Sequence, residues 1–478
     1  TRPAGQVSIT EFGAVGDGET DDSQAIQAAV EWAARHPGTA LHVPARIFGL
    51  RHPVRVPGAI ELAGEVPGSG NHPLCGFRAL PGFRCELVQR YRAAGTMQRL
   101  DVAALLMCEE WTRNAEFARR LHLRDLFFDV DSKTDTRGAP IHGLLLANQQ
   151  LDLHNVWIRH PTGHGVWINT QRPDGEFVQP IVDNVLRRVW VRGAGIGGAI
   201  YSTDQGTRRY GAFLIGALPG ARDPAGGTEP ALATDGILDY CTVSVGPENG
   251  LGCRGDGIYI TQAAGWRVTA CHVNGAGRHG IGLYKAYQTE VSGCYVDGWG
   301  VDAEANEGDF GGIWCASAVS LGHEADGGIL IGSNRIRARG VRATDGNRFA
   351  AIGLSAGITS TPRGIVAGNV ISRRRDAAHG FSAFHFAHAG KGELETIVIG
   401  NSVSGARRLF MSGWDGSAIR ARFTGNNFQY ADAPPGSGWH PAGLRIENAT
   451  PRPGGWSGWL NIEAGKPGTW KGAGMIEA

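Results

Sequence analysis

Short apolar segments recur through the middle of this chain, and most are led by a glycine-containing pair. HGLLLA (142–147), HGVWIN (164–169), GAIYST (198–203) and DGIYIT (256–261) come first. HGIGLY (279–284), GGIWCA (311–316), AAIGLS (350–355) and SAFHFA (382–387) follow. Strand-like alternation puts residues such as Ile258 and Ile260 on one face, Tyr259 and Thr261 on the other. A second series lies between these segments: DYCTV, TACHV, SGCYV, GSNRI, AGNVI, IGNSV and TGNNF. Its third residues form the column Cys241, Cys271, Cys294, Asn334, Asn369, Asn401 and Asn426. Neighbours in this column are separated by 23 residues (271 to 294) up to 40 (294 to 334). The shortest interval sets the size of one coil, and the excess falls in loops.

Strands repeating at this interval without intervening helices predict an all-β, single-stranded parallel β-helix. Each coil leaves its edges unpaired until the next coil stacks on it, so the array is stable only as a whole. The Asn and Cys column reads as a buried ladder at a tight bend. Stacked asparagines there satisfy turn backbone, and the cysteines are small buried side chains spaced by about 4.8 Å per coil. The N-terminal stretch is different. After the Gly-rich FGAVGDGETDD (12–22), Ile26, Ala29, Val30 and Ala33 recur at helical spacing until Pro37-Gly38 stops them. This predicts a helix over 23–35 covering the open end of the stack, with Asp21 and Asp22 favouring its N-terminus. The expected organisation is a capping segment at 1–50, about nine or ten coils over 51–430, and a Trp- and Gly-rich cap or tail at 431–478.

Phe12 to Val30 resembles the opening segment of the pectate-lyase-like superfamily of right-handed β-helices, with its FGAVGDGxTDD signature. That superfamily holds polygalacturonases, related glycosidases, polysaccharide lyases and phage tailspike depolymerases. The resemblance implies a right-handed helix acting on carbohydrate, and the coil repeats extend it to about residue 430.

Alternation within each segment gives one outward column: Leu145, Trp167, Tyr201, Tyr259, Gly282, Trp314, Gly353, His385 and Met411. Aromatic residues facing solvent in such a column suit stacking on sugar rings, which makes Tyr201, Tyr259, Tyr284 and Trp314 expected substrate contacts. Asp256 and His279 occupy the same position in successive repeats, just before the outward strand. Asp204, Arg208 and Arg209 come from the preceding long coil, Arg278 and Lys285 flank the histidine strand, and Glu307 and Asp309 approach the next one. The pair also resembles part of the polygalacturonase pattern, in which a DDCIAI-type strand is followed one coil later by GHGISIG. Asp256 matches the second acid and His279 the histidine, while Gly255 stands where the first acid would be.

Three functions fit these residues. In a glycoside hydrolase or transferase, Asp256 would work with Asp309 or Glu307 as the carboxyl pair, and His279 would hold one of them or a sugar hydroxyl. In a polysaccharide lyase, Arg278 or Lys285 would neutralise a uronate carboxylate, and His279 or Tyr284 would be the base. The third is a glycan-binding surface module without catalysis. Hydrolysis is the leading expectation.

Composition narrows the partners. Lys plus Arg number 46 and Asp plus Glu 45, which gives no drive toward nucleic acid. No apolar run approaches the roughly 20 residues of a membrane-spanning helix. The 73 glycines suit many turns between short strands. Eight cysteines include no CxxC pair, so no zinc site is expected, and no D-x-D-x-D run marks calcium. No cofactor is expected. Cys75 and Cys85 bracket a ten-residue loop and can form a disulfide. A start at Thr1 without Met fits either a removed leader or a shortened chain, and the expected location is secreted or periplasmic. A homo-oligomer, such as a trimer, is compatible with the fold.

Overall fold

A computed structural model describes residues 5–69, 72–84, 87–93, 95–113, 118–130, 140–176, 181–203, 206–218, 233–246, 250–302, 306–318, 328–338, 349–357, 362–373, 381–387, 393–406, 408–410, 419–431, 433–436, 440–448 and 450–477. The chain forms two compact units. The first comprises Thr1–Gln262, Cys271–Gly277 and Glu304–Glu307, and the second Ala263–Ala270, Arg278–Ala303 and Gly308–Ala478. Each is built from parallel β coils, the architecture of a right-handed parallel β-helix.

In the first unit three parallel sheets share one core. One sheet carries Thr96–Cys108, Ile141–Leu146, Val166–Ile168, Phe213–Ile215 and Ile258–Thr261 in that order. Its register aligns Leu144, Val166, Phe213 and Ile258, and two residues on Leu146, Ile168, Ile215 and Ile260. These stacked side chains are 1% exposed or less, which is what period-two alternation against a core requires. The helix spans Ser23–Ala34 and buries Ile26, Ala29, Val30 and Ala33. Gln27 exchanges two hydrogen bonds with the Arg55 backbone, covering the strand Val54–Val56. Asp22 does not cap the helix. Its carboxylate accepts the Val15 and Gly16 N–H groups and so fixes the glycine-rich turn before it.

The register corrects one member of the outward column. Tyr201 lies in Ile200–Thr203, which pairs antiparallel with Gly206–Arg209 as a hairpin. The coil strand is Phe213–Ile215, and Leu214 stands between Trp167 and Tyr259. A four-residue β-prone segment was free to pair with its own neighbour, while the short run FLI supplied the apolar side chains the core needed.

The second unit repeats the scheme with Ile281–Tyr284, Phe310–Ala318, Phe349–Ala356 and Ser382–Ala387 in one sheet. Gly282, Trp314, Gly353 and His385 align across it as the sequence indicates. Its C-terminal strands Trp456–Glu463 and Thr469–Met475 pair antiparallel.

An asparagine ladder runs through this unit. The Oδ1 atom of Asn369 accepts both the backbone N–H and the Nδ2 of Asn334, each at 3.0 Å. Asn401 does the same for Asn369, and Asn426 for Asn401. Each Nδ2 also donates to a strand carbonyl of the preceding coil, as Asn369 does to Ile331 at 2.9 Å. The cysteines of the column repeat this last bond. In the first unit the Cys241 and Cys271 thiols donate to the Leu186 and Leu238 carbonyls, and in the second Cys294 donates to Val268. The residue before each rung is left-handed: Tyr240 has φ 53°, Ala270 52°, Ser333 55°, Gly368 63° and Gly400 65°. Glycine adopts this turn freely, and the non-glycine residues hold it under strain.

All described cysteines are free and buried. That removes the expected Cys75 disulfide: its thiol donates to the Val43 carbonyl inside the core, and Cys85 lies outside the described residues.

Candidate active site

In the first unit one position is filled in turn by His142, His164, Gly211 and Asp256, each just before a strand of the same sheet. The coil-to-coil hydrogen bonds fix this alignment: Gly143 N–H to His164 O, Gly165 to Gly211, and Ala212 to Asp256. A two-residue HG or DG lead-in therefore puts a chemically active side chain on every coil but one. His142 and His164 were missed as site residues, although the HG pair that drew attention to His279 stands before both of them.

The two imidazoles stack at 5.4 Å between centroids with planes 16° apart. The Tyr210 ring meets both edge-on, 5.5 Å from His142 and 5.0 Å from His164. Tyr201, from the hairpin, lies 5.0 Å from Tyr210 and 5.9 Å from His164. Its cross-strand partner is Arg208, whose guanidinium lies 3.6 Å from Asp256 Oδ2 and 4.9 Å from the Tyr259 ring centre. Every one of these residues is buried. Among the described residues no hydrogen-bond partner exists for His142 Nε2, His164 Nε2 or the Tyr210 hydroxyl. Each of these buried polar atoms can be met by a water or a ligand acceptor.

Burial sets the charges. It pushes His164 down to about 3 and His142 well below its ordinary value, so both rings are neutral at pH 7. It raises Tyr210 well above 10, with Tyr201 and Tyr91 adding to the effect, so this phenol keeps its proton. Burial opposes the charge on Arg208, but Tyr259, Asp256 and Tyr201 outweigh it and hold the guanidinium above its usual pKa.

The expected solvent-facing aromatic platform is not present as such. Tyr259 is 2% exposed and lies under Arg208, and Tyr201 is 4% exposed. The hairpin carrying Tyr201 and Arg208 supplies the cover, and Tyr91 Oη ties it down by donating to Ser202 O. Glu307 is exposed, and its carboxylate accepts the Thr207 N–H at 3.0 Å. Asn306 beside it accepts the Arg209 N–H and donates to Arg254 O. Asp204 lies outside the described residues.

The second unit holds the other expected residues. His279 is buried and accepts the Gly311 N–H on Nδ1 at 3.0 Å. Its ring stacks on Trp314 at 5.5 Å and 13°, and Trp314 stacks on His385 at 5.3 Å and 6°. Trp314 is thus sandwiched between imidazoles. Gly311 and Gly353 make room for its indole, since a Cβ at either would meet the ring. Asp309 is half-buried and works electrostatically against the burial that lowers the His385 pKa. Arg278 is buried and its carbonyl accepts the Gly300 N–H. Lys285 Nζ sits 5.8 Å from the Tyr284 ring centre, and both side chains are half-buried. Among the described residues no cluster of three His, Cys, Asp or Glu side chains is arranged to hold a metal ion. No described helix is long and apolar enough to cross a membrane.

Residues 6–213 match the family described as rhamnogalacturonase A/epimerase, pectate lyase-like. The chain has the fold of the pectate-lyase-like superfamily of right-handed parallel β-helices. No curated protein matches the sequence. Among solved structures, the surface adhesin PfbA of Streptococcus pneumoniae is 11% identical, with 98% of each chain covered and a TM-score of 0.55. The A-module of the Azotobacter vinelandii mannuronan C-5 epimerase AlgE6 is 14% identical over 90% of this chain and 99% of its own, with a TM-score of 0.54. The AlgE4 A-module gives 14%, 88%, 94% and 0.51 in the same order.

Proposed function

We propose that this protein is a carbohydrate-active enzyme that cleaves an acidic polysaccharide by elimination beside a uronate carboxylate. The observation that carries this reading is the buried group around Arg208. It gathers a cation, three phenols and two neutral imidazoles, and its carboxylate Asp256 is already paired with the cation. Arg208 would neutralise the substrate carboxylate and so acidify the adjacent C–H. Tyr259, entering the step as a phenolate beside the guanidinium, would take the C5 proton. The electron pair left behind forms the C4–C5 double bond, the C4–O bond breaks, and the departing oxygen takes the Tyr210 proton. The strands Ile200–Thr203 and Gly206–Arg209 cover the group and themselves supply Tyr201 and Arg208. Fold likeness to two mannuronan C-5 epimerase modules supports an acidic substrate.

Inverting hydrolysis would need a second carboxyl roughly 6.5–9.5 Å from Asp256. The salt bridge of Asp256 to Arg208 and the bond from Thr207 N–H to Glu307 weigh against that use of either acid. Incubation with a panel of neutral and uronate polysaccharides tests the proposal. Elimination gives the ultraviolet band of an unsaturated uronate. New reducing ends without that band would replace elimination by hydrolysis, and binding without either product would leave a glycan-binding module.

A further inference from the structure

The histidine pair has a property that its burial alone does not give. The His164 backbone N–H donates to His142 Nδ1 at 2.8 Å. The Gly211 N–H donates to His164 Nδ1 at 3.1 Å, and the Gly211 carbonyl is the longer contact at 3.3 Å. A ring nitrogen that receives an N–H cannot carry a proton of its own, so in a neutral ring the proton sits on Nε2. Both Nε2–H groups are buried and without a partner among the described residues, and so is the Tyr210 hydroxyl beside them. An unmet buried donor destabilises the fold, and a ligand acceptor removes that penalty.

We infer that His142 and His164 are a tautomer-locked pair of neutral donors that hold a carboxylate oxygen of the ligand. The pair therefore binds substrate and is not the base. The lock comes from the coil stacking itself, because each Nδ1 is occupied by the backbone of the next coil. Neutral donors suit this place, since they add no second buried cation beside Arg208. The inference rests on the proposed site but not on the reaction assigned to it.

Two measurements test it. In protein labelled with 15N-histidine, both rings should show the Nε2–H tautomer from pH 6 to 8, assigned by loss of signals in His142→Gln and His164→Gln. A protonated Nδ1 on either ring, or titration in that range, would overturn the lock. The second measurement titrates trisaccharides of galacturonic, mannuronic and glucuronic acid against their carboxyl-reduced, neutral counterparts. At least one uronate should shift both Nε2–H resonances while the neutral forms do not. No shift with any uronate, or equal shifts with neutral sugars, would mean that the donors serve water only and would overturn the inference.

Variants separate the two ring nitrogens. His164→Asn keeps an acceptor where Nδ1 stands but loses the Nε2 donor, so it should fold and bind the uronate about 10- to 100-fold more weakly. His164→Gln keeps a donor near the Nε2 position and should retain most of the affinity. Equal binding by wild type and the folded Asn variant would refute the donor role. Failure to observe elimination on any polysaccharide, with the uronate shifts intact, would remove the reaction proposed above and leave this inference standing.

Discussion

Arg208 and Asp256 form an ion pair 3.6 Å apart, and the guanidinium is wholly buried. The sequence alone suggests that Asp256→Asn would spare the fold and reduce only turnover. The pair changes that expectation. Removing the negative partner leaves a buried cation uncompensated, which costs about 3–5 kcal/mol. Denaturant unfolding of Asp256→Asn should show a loss of this size, and Arg208→Met in the same chain should recover part of it. An unchanged midpoint would show that the pair does not carry this charge.

Tyr259→Phe isolates the phenol from the ring. The ring stays beneath Arg208, so stability should change by less than about 1 kcal/mol. Elimination should fall by about a hundred- to ten-thousand-fold if the hydroxyl is the base. Full turnover by Tyr259→Phe in the ultraviolet assay would move the base elsewhere.

Asn369→Ala should be among the more damaging changes in the second unit. It strips the acceptor from the Asn334 N–H and the donor from the Ile331 carbonyl, both within the buried ladder. Two unmet groups at about 1–3 kcal/mol each predict a loss of about 2–6 kcal/mol in denaturant unfolding. Asn426→Ala, at a less buried rung, should cost less.

Gly353→Ala should disturb Trp314 from the neighbouring strand. The new methyl group would overlap the indole where it bridges to His385. Overpacking of this kind costs about 1–3 kcal/mol, and the tryptophan emission should shift as the sandwich opens. Trp314→Ala should lose about 3–5 kcal/mol of stability, as a buried ring does, and an effect confined to ligand affinity would contradict the packing seen here.

Acid should weaken the fold from about pH 6.5 downward through the buried histidines. His164 has a folded pKa of about 3, whereas an unfolded histidine titrates near 6.5. Above pH 6.5 neither state binds this proton, and no stability depends on it. Between about 6.5 and 3 the unfolded chain binds it and the folded chain does not, so stability falls by up to about 1.4 kcal/mol per pH unit. His142 is shifted in the same direction and adds its own slope. Unfolding midpoints measured at pH 7 and pH 5 should show the loss, and His164→Asn should reduce the difference. Equal stability at both pH values would place these rings in contact with water.

The coil repeat, the helix and the Asn and Cys column were legible because each rests on local periodicity that the core enforces. The hairpin was not. GAIYST has the same β character as the coil strands, and nothing in the segment itself says that it pairs with GTRR and covers Tyr259 instead of stacking. The candidate site was half legible for the same reason. The sequence puts Tyr259 in the outward column and Asp256 just before its strand, but their burial depends on the hairpin that carries Arg208 and Tyr201. His142 and His164 carry the same HG lead-in as His279, but the lead-in alone does not show that their rings stack in the core.

The asparagine ladder also has a direction. Each rung supplies the acceptor and donor that the coil before it lacks, as Asn369 does for Asn334 and Ile331. As the chain leaves the ribosome, every coil therefore waits for its successor before its bend is satisfied. The growing end is always the incomplete one, and each arriving turn both closes the last and opens a template for the next. Synthesis and zippering thus run the same way, so a nascent chain can order itself from the helix end onward without waiting for its C-terminus.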